Sequence, residues 1–169
     1  MTPSPAKLAR GAQVFVDTNV IFEAHRSNCW SGLIGYYQIH TVEKCIEECG
    51  TGNDGKHAVT LDLSALRTRA TICQVPQDRL VHLAIQLHGI ALDDGEAELL
   101  AYVCKQPGAW LLCSPDKAAI RAAASLGMLD RVVALEEMTA TAGLHPDLRK
   151  QFQTVWLTSF RTALALESL

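Results

Sequence analysis

The chain has 169 residues, 49% of them hydrophobic and 20% charged, and a formal net charge of −3 at pH 7. These values suit one folded domain with a sizeable core and exclude a disordered chain. The net charge also argues against nucleic-acid binding over the whole surface, because phosphate binding needs clustered Lys and Arg. No apolar run approaches the ~20 residues that span a bilayer and the first ten residues are too polar for a secretory signal, so we expect a cytoplasmic protein without membrane contact.

The first half of the chain alternates strand and helix signals. The buried run from Val14 to Ile21 predicts a strand that ends at Asp17, where a helix should begin. After it the pattern predicts helical residues over 22–35, a short strand over 36–40, a helix capped by Thr41 that runs to Cys49, a mobile glycine-rich loop over 50–55, an ambiguous segment over 61–71 and an extended segment over 72–76.

The second half continues the alternation. It predicts an amphipathic helix over 78–88, a turn and cap over 93–95, a helix over 96–105, a buried strand over 109–113, an alanine-rich helix opened by 114–116 and reaching Leu126, a last short strand over 130–135, and a long terminal helix introduced by His145 and Pro146.

Strands that alternate with helices of about ten residues predict an α/β fold, because each crossover helix returns the chain to a parallel strand. We expect a three-layer α/β/α sandwich with a central parallel sheet. We divide the chain into an N-terminal tail (1–12), the main domain (13–144) and a C-terminal helix (145–169) that packs on the domain or serves in dimerisation.

Acidic residues recur at the end of a strand or in the first turn of the next helix. They are Asp17; the group Glu43, Glu47 and Glu48; the group Asp93, Asp94, Glu96 and Glu98; and Asp116. Any single acid there has an ordinary explanation, since the helix dipole favours a carboxylate in the first turn. The carboxyl ends of parallel strands open onto one edge, however, so these acids should converge.

Several carboxylates in one crevice repel one another unless a cation neutralises them. Ligands that offer only oxygen suit Mg²⁺ or Mn²⁺ better than zinc. Such an ion can activate a water for in-line attack on a phosphodiester and stabilise the leaving oxygen. The acids therefore predict metal-dependent phosphodiester hydrolysis.

Four of these segments resemble the motifs of PIN domains in their order and spacing. They are the run 14–21, the acidic helix after Thr41, the motif 94–98, and the run 114–119 with Arg121 and Ala122. The resemblance covers Gln13 to about Leu135. It implies a PIN-like fold and, in active members, a hydrolase: a Mg²⁺- or Mn²⁺-dependent endoribonuclease acting on single-stranded RNA.

The resemblance also assigns the first and last acids. Asp17 matches the first acid of the family, and Asn19 matches its usual polar companion. Asp116 matches the last acid, and Ser114 stands where a hydroxyl can bond a carboxylate or a metal-bound water. All four belong to the expected site, with Asp17 and Asp116 as metal ligands.

The two middle acids stay open within each group. Glu43 and Glu47 lie one helical turn apart on one face, so either could be the second acid, and Glu48 is the third choice. In the third group Glu96 is preferred over Glu98 and Asp94 because it is nearest the start of its helix. The expected catalytic residues are Asp17, Glu43, Glu47, Glu96 and Asp116, with Asp17, Glu43, Glu96 and Asp116 as metal ligands and Asn19, Asp94, Glu98 and Ser114 in support.

An alternative interpretation of the sequence places the protein in another functional class. The acidic net charge and the additional terminal helix also suit a PIN-like domain that no longer cuts and serves as a binding or assembly module. For partners, the resemblance points to RNA as the substrate and leaves open a homodimer and an antitoxin-like protein inhibitor.

Overall fold

A computed structural model describes residues 7–51 and 60–169. Five strands form one all-parallel sheet in the order β3-β2-β1-β4-β5. The strands are β1 (Gln13–Val16), β2 (Gln38–Val42), β3 (Thr71–Cys73), β4 (Leu111–Cys113) and β5 (Val132–Val133).

Nine α-helices connect and cover the strands within these residues. They are α1 (Thr18–Arg26), α2 (Trp30–Tyr36), α3 (Glu43–Thr51), α4 (Leu63–Arg69), α5 (Gln77–Gln86), α6 (Asp94–Val103), α7 (Lys117–Ser125), α8 (Leu135–Thr141) and α9 (Thr154–Glu167). Short 3₁₀ turns cover Leu129–Arg131 and Lys150–Phe152. None of the helices described is long and apolar enough to cross a bilayer.

Side chains that alternate along each central strand divide the core into two layers. Phe15 and Leu112 face one cluster, which α5, α6, α7 and α9 cover, whereas Val14 and Val16 face the other, which α1, α2, α4 and α8 cover. Both faces of the sheet are thus buried, as a parallel sheet requires. The predicted three-layer α/β/α sandwich with a central parallel sheet is confirmed.

The strand order places a switch point beside β1. From β1 the chain moves outward to β2 and β3, then returns to add β4 on the other side of β1 and β5 beyond it. In open α/β sheets ligands bind in the crevice outside the carboxyl ends of the strands at such a switch point. Asp17 follows β1 and Ser114 follows β4, so both lie at this crevice.

The prediction that Thr41 caps a helix is wrong. Thr41 lies within β2, fully buried, and its hydroxyl donates to the carbonyl of Val16 on the neighbouring strand at 2.7 Å. The helix begins two residues later and continues through Gly50, a residue that the sequence pattern predicts in the loop. A Cβ on Gly50 would come within 2.9 Å of Leu63, so the missing side chain leaves room for α4. The rest of the expected loop, residues 52–55, lies outside the described residues.

The terminal helix begins later than His145 and Pro146 suggested. Residues 145–149 have no helical structure, a 3₁₀ turn follows, and α9 begins only at Thr154. Phe152, expected on the helix stripe, packs in the cluster beneath α1 and α8, while Leu157 and Phe160 pack in the opposite cluster. The helix therefore packs on the domain, and its use in a dimer stays a prediction.

Other observed element boundaries differ from the predicted ones by a few residues. The segment expected to be helical over 22–35 is two helices, because Asn28 adopts a left-handed backbone conformation with φ of 62° between them. The second strand covers 38–42 rather than 36–40, since Tyr36 completes α2. The ambiguous segment contains α4, capped by Asp62.

Candidate active site at the carboxyl edge of the sheet

Asp17 is held between a helix and a neighbouring strand end. As the N-cap of α1 it accepts a hydrogen bond from the Val20 backbone N–H at 2.9 Å, and its second oxygen accepts one from the Ser114 hydroxyl at 2.5 Å. Only 3% of the residue is exposed. Its two fixed hydrogen bonds hold the carboxyl group in one orientation toward the crevice.

The pKa of Asp17 is raised from 3.8 to about 7. Burial is the main cause, since removing water disfavours the charged form, and the nearby Asp116 and Asp93 charges act in the same direction. The hydrogen bonds from Ser114 and Val20 lower the pKa and offset part of this effect. A cation in the crevice would stabilise the charged form of Asp17 and lower this pKa.

Asp116 and Ser114 complete the side of the site built by β4. Asp116 is the N-cap of α7 and accepts from the Ala119 N–H at 3.0 Å. Its own N–H donates to the Ser114 oxygen at 3.2 Å, and that same hydroxyl donates to Asp17. Ser114 thus links the segments that follow β1 and β4, since its hydroxyl bonds Asp17, a residue 97 positions away in the sequence.

Glu96 reaches the same crevice from α6. It forms a reciprocal capping box with Asp93, in which each side chain accepts from the other's backbone N–H, at 2.8 and 3.2 Å. Burial first, and then the charges of Asp116 and Asp93, raise the pKa of Glu96 to about 8. Two carboxyl groups of the site thus have pKa values at or above neutrality.

The acid that α3 contributes is Glu48. One carboxylate oxygen accepts from the Thr18 hydroxyl at 2.7 Å and the other from the Gly95 N–H at 3.0 Å. A Cβ on Gly95 would lie 2.5 Å from the nearer Glu48 oxygen, so only glycine leaves room for the carboxylate there. Glu48 is fixed against the start of both α1 and α6.

Glu43 and Glu47, the sequence-preferred acids of α3, lie elsewhere. Glu43 forms a two-point ion pair with Arg67 of α4, and Glu47 pairs with Lys44 at 3.1 Å on the exposed side of the helix. Neither lines the crevice. Because successive helix residues are rotated by about 100°, the face that holds Glu43 and Glu47 excludes Glu48. In the sequence, Cys45 is the residue that could have indicated Glu48. It lies three residues before Glu48 and lines the same pocket.

The supporting acids Asp94 and Glu98 also lie outside the pocket lining. The Asp94 side chain is 84% exposed and lies 4.0 Å from the Lys44 ammonium. Glu98 accepts from the Lys44 backbone N–H at 3.4 Å, which ties α6 to the first turn of α3. Their positions suit contacts between helices rather than a ligand in the crevice.

Asp17, Glu48 and Glu96 line a small polar pocket of about 80 Å³, whereas Ser114 and Asp116 lie outside its lining. Its lining consists of Asp17, Thr18, Asn19, Cys45, Glu48, Asp93 and Glu96. Four of the seven residues are acids, and Asn19 adds an amide. A pocket of this size holds an ion with a few waters rather than an organic cofactor.

The donor set fits a hard divalent cation, although the ligands are not yet gathered around one point. Within residues 7–51 and 60–169, no three His, Cys, Asp or Glu side chains form a ready-made ligand cluster. The acids do offer carboxylate oxygens, the ligands that Mg²⁺ and Mn²⁺ prefer. Burial raises the pKa of the Cys45 thiol to about 12, so it stays protonated beside them and is a poor metal ligand.

Comparison with known proteins adds no assignment: no protein-family model and no curated protein matches this chain. The PIN resemblance therefore rests on the motifs alone, and the metal-ligand roles of the acids stay a prediction.

Proposed function

We propose that the chain is a Mg²⁺- or Mn²⁺-dependent endoribonuclease of the PIN-like type, active at the crevice beyond β1 and β4. The observation that carries this proposal is the pairing of two buried carboxyl groups, Asp17 and Glu96, that line one pocket with pKa values raised to about 7 and about 8. Such perturbed groups cluster at functional sites because acids and bases in catalysis need pKa values matched to their task.

Each residue has a distinct task in this proposal. The cation would be held by Asp17, Glu48, Glu96 and Asp116. Ser114 fixes the relative positions of Asp17 and Asp116 through its two hydrogen bonds. Bound there, Mg²⁺ or Mn²⁺ would supply an activated water and stabilise the leaving oxygen. Asn19 presents a neutral amide to the pocket, which can donate to a phosphate oxygen where another acid would repel it.

The resemblance of the motifs is what supports RNA over other phosphodiesters. An acidic pocket alone does not select a nucleic acid, because its own charges oppose the approach of phosphate. The cation resolves this opposition, since it neutralises the carboxylates and then attracts the substrate.

Cleavage of a labelled single-stranded RNA with Mn²⁺ or Mg²⁺ is the direct test. We expect wild-type protein to cut, and Asp17→Asn to lower the rate by at least about a hundredfold because one fixed ligand loses its charge. Asp130→Asn is the matched control, because Asp130 is exposed and lies before β5, at the opposite edge of the sheet. Equal cleavage by the two variants would refute the proposed site.

A non-catalytic binding module is the second candidate, and one observation favours it. Each pocket acid already has a structural partner, as an N-cap, a capping box or a clamp between helices, and no ligand cluster exists among the described residues. A thermal melt separates the two candidates, because an ion that binds the folded state raises the midpoint by mass action. No shift with millimolar Mn²⁺ would favour the module.

A further inference from the structure

A cleft next to the acidic pocket contains an aromatic side chain with no role in the site described above. Ser114 and Pro115, which follow β4, line this cleft together with Gln151 and Trp156 from the C-terminal region. Ser114 also donates to Asp17, which lines the acidic pocket, so the cleft lies next to that pocket.

Trp156 differs from the other tryptophans of the chain. Trp30 and Trp110 are 9% and 2% exposed and belong to the core, whereas Trp156 is partly exposed near the start of α9. It stacks on Phe160, with ring centroids 5.8 Å apart and an angle of 20° between the rings. Phe160 is buried, so the pair is a supported aromatic platform rather than a loose surface side chain.

Positive charge lies beside the platform. The Lys117 ammonium is 5.7 Å from the centre of the Phe160 ring, and the Arg121 guanidinium is 5.4 Å from it. Arg121 is paired with Glu167, but Lys117 forms no ion pair with another described residue. Lys117 directly follows Asp116 at the start of α7, next to an acid of the proposed site.

We propose that this surface, the Trp156 platform, binds the nucleotide next to the scissile phosphate of single-stranded RNA. This inference rests on the proposed function. One base stacks on Trp156, Lys117 neutralises the adjoining phosphate, and the Gln151 amide is placed to contact the base edge. Stacking needs an unpaired base, which gives a physical reason for preferring single strands, because a duplex keeps its bases against one another.

Binding can be measured without cleavage, in the Asp17→Asn background with Mg²⁺, using a uridine decamer as the probe. Because Trp156 alone of the three tryptophans is accessible, we expect the RNA to quench the intrinsic fluorescence and a Trp156→Phe substitution to remove most of the quenching. Trp156→Ala should weaken binding by about five- to a hundredfold, whereas Trp156→Phe, which keeps a stacking ring, should stay close to wild type. A duplex of the same length should quench little.

Lys117→Ala tests the same surface in case the Trp156 variants fold poorly, because Lys117 is exposed. We expect it to weaken binding and to reduce the slope of log affinity against log salt by about one, as expected for one lost phosphate contact. Lys105→Ala is the matched control, since Lys105 is an exposed lysine at the opposite edge of the sheet and should change neither quantity.

The possible outcomes distinguish failure of the Trp156 platform from failure of the proposed nuclease function. Cleavage by wild type with unchanged affinity in Trp156→Ala and Lys117→Ala would overturn the platform and leave the nuclease standing. Quenching that depends on Trp156, in a protein that never cuts, would support the platform and remove the nuclease. Equal affinity for single strand and duplex would also overturn the platform.

Discussion

The position of Glu48 depends on the absence of one side chain. Gly95 lies in the first turn of α6 and donates its N–H to the Glu48 carboxylate, and a Cβ there would meet both carboxylate oxygens at 2.5 and 2.8 Å. The atoms in the way belong to the end of a flexible side chain. A substitution would therefore move the acid and leave the backbone in place.

Gly95→Ala should separate function from stability. We expect the free energy of unfolding to change by less than about 1 kcal/mol, because the better helix propensity of alanine offsets the local clash. Cleavage and Mn²⁺ affinity should fall, at least about tenfold, because Glu48 is displaced from the pocket. Activity assays beside urea unfolding curves measure both effects.

Gly35→Ala is the control for this prediction. Gly35 also lies in a helix, and a Cβ there meets nothing within 4 Å. It should leave activity unchanged and stability equal or slightly higher. Full activity in Gly95→Ala would show that Glu48 takes no part in the site.

At the scale of elements, a second buried acid connects α1 to the C-terminal region. Glu23 is 1% exposed and accepts from the Arg26 guanidinium at 2.6 and 2.8 Å and from the Arg149 N–H at 2.8 Å. The Arg26 guanidinium also donates to the Asp147 carbonyl at 2.7 Å. These bonds hold residues 147–149 in an extended path, which explains why α9 does not begin at Pro146.

Glu23→Ala should lower the free energy of unfolding by roughly 3 kcal/mol, because the Arg26 guanidinium and the Arg149 N–H, which are partly buried, lose their acceptor. Glu23→Gln should cost less, since the amide keeps one acceptor oxygen. Urea unfolding gives the values, with Glu136→Ala on α8 as a partly exposed control. A Glu23→Ala protein as stable as the control would contradict the connecting role.

At the scale of the whole molecule, the site should make stability depend on pH. Burial raises the pKa of Asp17 from 3.8 to about 7 and that of Glu96 from 4.5 to about 8. The folded state then holds protons that the unfolded state has released, so the contribution of these two groups to the free energy of unfolding is largest below about pH 4 and is lost as pH rises to about 7 to 8. For Asp17 alone the loss is on the order of 4 kcal/mol.

Asp17→Asn should flatten this profile and be more stable than wild type at pH 8 without metal. Mn²⁺ should raise the wild-type midpoint more at pH 8 than at pH 5.5, because the ion competes with protons for the same oxygens. Thermal unfolding at both pH values, with and without Mn²⁺, measures this. A shift as large at pH 5.5 as at pH 8 would place the ion elsewhere.

Much of the fold could be predicted because its signals are local. Val14 to Val16 and Leu111 to Cys113 are apolar at every position, as strands covered on both faces require, and Asp93 and Asp116 are recognisable as helix caps. The element boundaries that were predicted wrongly depend on contacts with residues far away in the sequence. Thr41 became a strand residue because its hydroxyl reaches Val16, and α9 began late because Glu23 holds the preceding segment.

The sequence by itself determined the fold class, the carboxyl edge as the place for the candidate site, and the nearness of Asp17 and Asp116 to that edge, because the end of a parallel strand always opens there. Only the tertiary structure decided that α3 contributes Glu48 instead of Glu43 or Glu47. The choice depends on the rotation of that helix about its axis, which is fixed by the burial of Cys45, Ile46 and Cys49 against the two core layers. It also depends on a glycine of another helix that leaves room for the carboxylate, and no local pattern records either fact.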